Sequence, residues 1–164
     1  MSNNKTFKAL VVHETSNGEF EKSIEQRSAS DLPENDLLIE VHYSSLNFKD
    51  AMSASGNKRI TKQYPHTPGI DAAGVVVSDK SGTFSEGQEV VVFGYGLGMD
   101  TDGGLAQMIS IPADWAVECP SSLTLKEAMA LAEVTQKTIY NWCEEHRFKF
   151  VRAVNRRLYI DRES

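Results

Sequence analysis

Hydrophobic and polar positions alternate in short segments over the first 120 residues. The clearest case is Leu37–Tyr43, where every second residue is apolar. Leu37, Ile39, Val41 and Tyr43 are therefore predicted to share one buried face of a strand, because successive side chains of a strand point to opposite sides.

Further short apolar segments, bounded by glycine and proline, are predicted to be strands. They are Phe7–His13, Gly74–Val77, Val90–Phe93, Leu105–Ile111 and Trp115–Cys119. One helix is predicted at Phe48–Ala54, ended by Gly56. Many short strands with such turns indicate a mainly β domain, most simply a small barrel.

The pattern becomes helical after Leu123. Thr124 and Glu127 have the spacing of a capping box, which predicts a helix over about Leu125–Leu131. We therefore predict a domain boundary that separates residues 1–122 from residues 123–164.

The rest of the second segment is predicted to hold another helix and a hairpin. The helix begins at Thr135 and ends at about His146. Two short strands come after it, Phe148–Val154 and Leu158–Ile160, with Asn155 in the turn because asparagine tolerates a positive φ.

Composition indicates an ordinary folded chain. Hydrophobic residues make up 40% and charged residues 24% of the 164 residues. The net charge of −6 argues against nucleic-acid binding by the whole chain. Residues 1–122 carry 9 basic against 17 acidic side chains, and residues 123–164 carry 8 against 6. The two segments therefore have opposite net charge, which hints at different partners.

Cysteine content and the N-terminus predict a reduced, cytoplasmic protein. Cys119 and Cys143 form neither a CxxC pair nor a disulfide framework. The apolar run Ala9–Val12 is too short for a signal peptide or a membrane span, so no membrane association is expected.

Three segments carry a family resemblance. They are VHYSSLNFKDAMSASG (41–56), PHTPGIDAAGVVV (65–77) and GQEVVVFGYGLGMDTDGGLAQMISIPADW (87–115). Together they resemble the zinc-free quinone oxidoreductases of the medium-chain dehydrogenase/reductase superfamily, in the subgroup that includes acrylyl-CoA reductases. The resemblance covers about residues 5–130. It implies a GroES-like barrel on the substrate side of a cleft and a Rossmann domain that binds NADPH.

The resemblance also implies that no metal is bound. Zinc-dependent members of the superfamily hold a catalytic zinc with a cysteine and a histidine on two of these segments. Asn47 stands in the cysteine position and Ile70 in the histidine position. Neither side chain replaces a thiolate or an imidazole as a zinc ligand.

In zinc-free relatives, an Asn-aromatic-Lys-Asp element lines the cleft near the nicotinamide, which implies a catalytic role for Asn47, Lys49 and Asp50. An amide can orient a carboxamide or a carbonyl, and a lysine can attract the phosphates of NADPH or coenzyme A. The alternative is an ordinary helix start, with Asn47 as the cap and Asp50 in the first turn.

Two further residues are placed near the cleft by the resemblance. Asp71 either faces the cleft or fixes the backbone of a tight turn, and the second role is favoured. Tyr95 lies in a loop that approaches the substrate in relatives, or else packs within its turn. The glycines at 94, 96 and 98 imitate a dinucleotide fingerprint, but no helix is predicted after them, so we expect no phosphate-binding loop here.

The resemblance to reductases ends near Ala130. Only 34 residues remain after it, and a single βαβ unit takes about 30. We therefore expect the Rossmann domain to be absent from these 164 residues. NADP, the cofactor of the family, is then not expected to be bound by this chain.

The remaining segment resembles the winged helix-turn-helix of excisionase-type DNA-binding proteins. The resemblance implies a set of DNA contacts from the second helix and the hairpin: Gln136, Lys137, Tyr140, Asn141, Arg152, Arg156 and Arg157. The alternative is an amphipathic hairpin whose charges are simply solvated.

The sequence supports three hypotheses of function. The first is a truncated or rearranged reductase whose substrate-side domain is inactive alone. The second is a DNA-binding protein whose barrel is a passenger or a ligand sensor. The third is an interaction protein without activity.

Overall fold

The computed structural model describes residues 5–132, 149–154 and 157–161. These residues are mainly β, as predicted. The strands are β1 (Thr6–Glu14), β2 (Phe20–Ser28), β3 (Leu37–Tyr43), β4 (Asp71–Asp79), β5 (Glu89–Phe93), β6 (Met108–Ile111), β7 (Ala116–Glu118), β8 (Lys149–Val154) and β9 (Arg157–Asp161). The α-helices are α1 (Phe48–Ala54) and α2 (Leu125–Ala132).

A five-stranded antiparallel sheet forms the centre of the domain, in the order β6-β3-β4-β5-β7. β1 and β2 form a separate antiparallel hairpin. The hairpin meets the rest of the domain through isolated bridges from Ala9 to Ala106 and from Val12 to His66. These bridges attach the hairpin to the segments that precede β6 and β4.

The main core lies on one face of the five-stranded sheet. Its fully buried members include Leu37, Ile39, Val90 and Ile109, which come from three strands that are far apart in sequence. Burying such side chains stabilises the fold by about 1.5–3 kcal/mol each.

α2 packs on the sheet rather than standing apart from it. Leu125, Ala128 and Met129 are buried in one cluster with Ala73 and Val91. The predicted capping box is confirmed, because the Thr124 backbone N–H donates to the Glu127 carboxylate at 2.8 Å and the Glu127 N–H donates to Thr124 Oγ1 at 3.2 Å. The domain boundary at 122 stays a prediction.

Most predicted elements are confirmed, and α1 has the predicted bounds. The strand predicted at Leu105–Ile111 begins only at Met108, because the Leu105 backbone pairs with Pro68 and Leu10 in the loop before it. Trp115 lies in a short 3-10 helix, and the strand after it begins at Ala116.

One strand was missed in the sequence, and one prediction about a strand is wrong. β2 was not predicted, because its sequence FEKSIEQRS is polar and most of its side chains are exposed on both faces. Tyr43 is 43% exposed instead of sharing the buried face of β3. The pairing of β3 with β4 shifts register between Val41 and Tyr43, which breaks the alternation at that point.

The predicted hairpin strands near the end of the chain are confirmed as β8 and β9, which pair antiparallel. The predicted second helix and the turn residue Asn155 lie outside the described residues. So do five of the proposed DNA contacts, which are Gln136, Lys137, Tyr140, Asn141 and Arg156. In the described part of the chain, no helix is long and apolar enough to cross a membrane.

Candidate functional site

The residues predicted for the cleft lie where β3 ends, β4 begins and β5 ends. Asp71 at the start of β4 pairs with Phe93 at the end of β5. α1 comes soon after β3 at the same place. We call this region the open end of the sheet and define it as residues 43–50, 70–71 and 93–95.

The open end exposes an unusual amount of apolar surface. Six large hydrophobic side chains of the described residues are exposed, and five of them lie here. They are Tyr43, Leu46, Phe48, Phe93 and Tyr95. Phe48 at 80% and Leu46 at 77% are almost as exposed as in an unfolded chain. Clustered exposed apolar residues of this kind mark a surface that contacts a ligand or another polypeptide.

The Asp71 carboxylate is the polar centre of the open end. Its side chain is only 3% exposed. It accepts hydrogen bonds from the backbone N–H of Ser45 at 2.7 Å, from the Ser45 hydroxyl, and from the Asn47 amide nitrogen at 2.8 Å. A buried carboxylate is stable only when donors surround it in this way. These hydrogen bonds tie Asp71 to the connection between β3 and α1. Whether Asp71 faces the cleft or fixes a tight turn stays a prediction.

The amide group of Asn47 is held in one orientation by its neighbours. Its amide nitrogen donates to Asp71 at 2.8 Å and to Ser45 Oγ at 3.0 Å. The reversed amide would place oxygen against carboxylate, which makes the orientation unambiguous. The amide oxygen of Asn47 can therefore accept from an N–H or O–H group of a ligand.

Asp50 connects α1 to the segment before β4. Its carboxylate accepts from the backbone N–H groups of Asn47 at 2.7 Å and Ile70 at 3.0 Å. Burial raises the pKa of Asp50, the negative charge of Asp71 raises it further, and the backbone hydrogen bonds oppose this rise. Because its side chain is 3% exposed, Asp50 is placed as an anchor, and its proposed catalytic role stays a prediction.

Lys49 has the opposite environment. It lies in the first turn of α1, next to Phe48, and is exposed to solvent. An exposed lysine beside an apolar surface can attract a phosphate group without first breaking a buried contact.

Tyr95 has an uncommon backbone conformation. Its φ is 56°, which only glycine adopts without cost. Its ring stacks on Trp115 with centroids 5.3 Å apart and planes 7° apart. The loop is attached to the sheet by a hydrogen bond from the Gly94 N–H to the Ile70 carbonyl at 2.9 Å. Trp115 was not predicted as a site residue, since nothing in the sequence indicates that it contacts Tyr95.

Gly98, in the glycine run after β5, and Gly104 lie where backbone segments pack in contact. As predicted, no helix comes directly after the glycine run, and the next element of the chain is β6. A Cβ added to Gly98 would lie 2.4 Å from the Gly69 carbonyl oxygen, and one added to Gly104 would lie 2.0 Å from the Asp71 carbonyl oxygen. Glycines are therefore required here because two backbone segments cross in contact.

A partly buried polar group next to this crossing was also missed from the sequence. The Asp102 carboxylate accepts from Arg27 Nη1 at 2.6 Å and from the Thr67 backbone N–H at 2.9 Å. His66, 5% exposed, donates from Nε2 to the Gly98 carbonyl at 2.9 Å. These contacts attach β2 to the backbone segments around Thr67 and Gly98, which lie next to the site.

The residues of the described chain can be compared with the needs of two bound groups, a metal ion and a dinucleotide phosphate. Within ranges 5–132, 149–154 and 157–161, no group of three or more His, Cys, Asp or Glu side chains could hold a metal ion. A dinucleotide phosphate needs a glycine loop that opens a helix, and the 94–98 loop opens none. The 94–98 loop therefore lacks the helix N-terminus that a glycine-rich phosphate-binding loop provides.

The family model for the alcohol dehydrogenase GroES-like domain matches residues 33–121, more than half of the chain, and the chain belongs to this family. A helix-turn-helix domain model matches residues 122–164.

Similar proteins are reductases. The chain is 47% identical over 102 residues to a putative quinone oxidoreductase, YhfP, of Bacillus subtilis, covering 62% of this chain and 31% of the relative. It is 39% identical over 118 residues to a probable acrylyl-CoA reductase, AcuI, of Escherichia coli, covering 72% of this chain and 36% of the relative. The chain thus spans about a third of the length of these curated relatives.

Two solved structures similar to the chain also come from this group of proteins. The yhdH oxidoreductase of Salmonella enterica in complex with NADP has a TM-score of 0.73 and 37% identity, with coverage of 76% of this chain and 38% of that one. Bacillus subtilis yhfP with NAD bound also has a TM-score of 0.73, with 40% identity and coverage of 77% and 38%.

Proposed function

We propose that residues 1–122 form the substrate-side domain of a zinc-free, NADPH-dependent reductase of the quinone or acrylyl-CoA type, in a truncated or rearranged form. The observation that carries the proposal is the open end of the sheet. It combines an amide of fixed orientation, Asn47, with exposed apolar side chains such as Phe48 and Tyr95. The similar reductases support the same assignment.

Each residue then has a distinct role. The Asn47 oxygen accepts from an N–H group, such as the carboxamide of a nicotinamide ring, and so orients the ring that donates the hydride. Phe48 and Tyr95 contact the apolar part of the substrate. Lys49 attracts a phosphate of coenzyme A or of the cofactor. Asp50 and Asp71 are positioning residues, since they act through α1 and Asn47.

The proposal includes no hydride transfer by this chain alone. Cofactor enzymes depend on the protein to hold the reactive ring against the substrate. The segment after the barrel matches a helix-turn-helix model instead. We therefore expect no oxidation of NADPH when the chain is mixed with a quinone or with acrylyl-CoA, measured as loss of NADPH absorbance.

A chimera tests the proposed role of the barrel. Residues 1–121 of this chain are joined to the remaining part of the Bacillus subtilis relative, which supplies the length that this chain does not align with. The chimera should reduce a quinone or acrylyl-CoA, and Asn47→Ala should lower kcat/KM on the order of tenfold, the value of one lost hydrogen bond.

The matched control is Asn17→Ala, which removes an exposed amide from the turn between β1 and β2 and should leave kcat/KM unchanged. A folded chimera without activity, or one in which both asparagine variants behave alike, contradicts the proposal.

DNA binding by residues 123–164 is the second candidate function. It is favoured by the helix-turn-helix match and by the β8–β9 hairpin, whose strands carry Arg152 and Arg157. If the hairpin contacts phosphates, Arg156→Ala and Arg157→Ala together should flatten the log-log salt dependence of binding by about two units at most in a gel-shift assay.

Asn141→Ala should instead cost about 1–3 kcal/mol at a preferred site, because an amide pairs bidentately with adenine. The acidic barrel opposes DNA binding, so the assay is best done at low salt. No shift on any duplex, with the tail folded by circular dichroism, leaves the solvated hairpin as the explanation.

A further inference from the structure

The β1–β2 hairpin has one strand edge that no described segment covers. β1 is bonded on both sides, because it pairs with β2 and also donates from the Leu10 and Val12 N–H groups to the carbonyls of Leu105 at 2.9 Å and His66 at 2.8 Å. β2 pairs with β1 alone among the described strands. No backbone hydrogen bond from another described segment reaches its outer edge. Such an edge is a template for a further strand.

The hydrogen bonds at both ends of the hairpin show which groups of β2 point outward. The Thr15 N–H donates to the Glu19 carbonyl at 2.8 Å, and the Ala29 N–H donates to the Lys5 carbonyl at 2.9 Å. Hydrogen-bonded pairs alternate along an antiparallel ladder, so the odd-numbered residues of β2 bond to β1. The outward N–H and C=O groups in the middle of the strand therefore belong to Lys22, Ile24 and Gln26.

Ile24 gives this edge an exposed apolar side chain at its centre. It is the middle residue of Phe20–Ser28 and is 68% exposed. The other five exposed large hydrophobic side chains of the described residues all lie at the open end. Proteins usually protect a free edge with charged side chains, because a second strand cannot bury them without cost. β2 carries such charges on both sides of its centre, but not at the centre itself.

The sequence of β2 is self-complementary about Ile24. In an antiparallel pair of two copies centred on this residue, Ile24 lies opposite its own copy, and Glu21 lies opposite Arg27 of the second copy. Arg27 uses Nη1 for Asp102 at 2.6 Å and its side chain is 22% exposed, so other N–H groups of the guanidinium remain for a carboxylate. The remaining pairs combine Lys22 with Gln26 and Ser23 with Glu25.

The neighbouring registers place like charges opposite each other. A pair centred on Ser23 would oppose Glu21 to Glu25, and a pair centred on Glu25 would oppose that residue to its own copy. Like charges directly opposite destabilise a strand pair. With Ile24 at the centre, no like charges are opposed, and the outward backbone groups of the two copies meet in about six hydrogen bonds.

We propose that β2 is a docking edge for a second copy of this chain, in which the two β2 strands pair antiparallel about Ile24 and the two hairpins form one four-stranded sheet. A pairing of this kind has two-fold symmetry, so both copies use the same residues. The proposal goes beyond the proposed function and does not rest on it, because the docking edge lies outside the open end.

Sedimentation velocity of the full 164-residue chain over a dilution series tests the proposal. Wild type should sediment as a dimer at high concentration and dissociate on dilution. Ile24→Lys should still fold, because the replaced side chain is 68% exposed. It should raise the dissociation constant of the dimer about tenfold, because it removes the apolar contact and places two lysines opposite each other at the symmetry axis.

Leu46→Lys is the matched control, since Leu46 is 77% exposed and lies at the open end. It introduces the same charge on the other exposed apolar surface and should leave the dimer unchanged. Glu21→Arg should raise the dissociation constant about two- to thirtyfold, since two symmetry-related attractive pairs become repulsive. Glu86→Arg, the same charge reversal at an exposed position in the turn before β5, should have no effect.

Disulfide trapping tests the register in a Cys143→Ser background, where the remaining native cysteine, Cys119, is buried. Ile24→Cys should form a covalent dimer under mild oxidation, because facing residues of a hydrogen-bonded pair have Cα atoms about 5.5 Å apart, within disulfide range. Gln26→Cys should not, because its own copy lies four residues along the strand, about 14 Å away.

Three results overturn the proposal. Wild type that remains monomeric at about 1 mM shows that the charges of β2 protect the edge. A dimer that Leu46→Lys weakens as much as Ile24→Lys, or that neither variant weakens, has its interface elsewhere. Equal trapping of Ile24→Cys and Gln26→Cys excludes a pairing centred on Ile24. None of these results bears on the reductase chimera, which tests the open end.

Discussion

Replacing Ser45 by alanine tests whether the contacts around Asp71 hold the open end of the sheet together. Ser45 is 3% exposed, and its hydroxyl is bonded on both sides. It donates to the Asp71 carboxylate and accepts from the Asn47 amide at 3.0 Å. The substitution removes both contacts but leaves the Ser45 backbone N–H, which donates to Asp71 at 2.7 Å.

The expected loss depends on the charge and burial of these groups. A hydrogen bond to a charged group contributes about 1.5–3 kcal/mol, and a buried polar group left without a partner costs a similar amount. Asn47 is only half-buried, so water can replace part of what its amide loses. Ser45→Ala should therefore lower the free energy of unfolding by about 2–3 kcal/mol.

Ser44→Ala is the matched control, one residue away. The Ser44 hydroxyl donates mainly to the neutral backbone carbonyl of Asp71, at 2.9 Å, and Ser44 is partly exposed. Its loss should cost about 0.5–1.5 kcal/mol. Urea unfolding followed by circular dichroism measures both variants, with equal m-values as the condition for comparison. A Ser44→Ala loss equal to or larger than that of Ser45→Ala refutes the view that the Asp71 carboxylate is the centre of the network.

Three further outcomes are expected. Because the pKa of Asp50 is raised in the folded protein, its contribution to stability is greatest at acidic pH and falls as pH rises from its unfolded pKa through its folded pKa. Glu25, Glu40 and Asp79 have lowered pKa values and act in the opposite direction, so the stability of wild type minus that of Asp50→Asn, measured by thermal unfolding across pH, should show this fall. Gly104→Ala should prevent normal folding, because its Cβ would lie 2.0 Å from the Asp71 carbonyl oxygen. Gly82→Ala is the control: no atom lies within 4 Å of its Cβ, so only its φ of +73° should destabilise the fold, by about 1–2 kcal/mol. Circular dichroism and urea unfolding midpoints compare the two variants. Metal analysis of protein purified without a metal-affinity tag should find no stoichiometric zinc, because Asn47 and Ile70 stand in the ligand positions, and one zinc per chain contradicts this.

Local patterns in the sequence predicted most of the elements that build the site. α1 has its predicted bounds, because a run of helix-compatible residues ends at Gly56, whose φ is +83°. β3 was predicted from its alternation, which holds from Leu37 to Val41. Both elements are determined by residues close together in the sequence, so a local pattern is enough to predict them.

The features that local patterns did not predict depend on distant residues. β2 has no apolar face, so only its pairing with β1 makes it a strand. Trp115 supports Tyr95 from 20 residues away, and Asp102 joins Arg27 from 75 residues away. Contacts between residues so far apart leave no periodic pattern in the sequence.

The positions of the polar groups at the open end are determined by contacts within the β domain. Gly104 packs against the Asp71 carbonyl, the Asp71 carboxylate holds Ser45 and Asn47, and Asp50 joins Asn47 to Ile70. All of these contacts lie before the segment that matches the helix-turn-helix model. No hydrogen bond described at the open end uses a residue after 122, whereas α2 packs on the sheet beside Ala73 and Val91. Under the proposed function, we therefore expect ligand binding by this chain to depend on the polar contacts of the open end, and turnover to require a dinucleotide-binding domain.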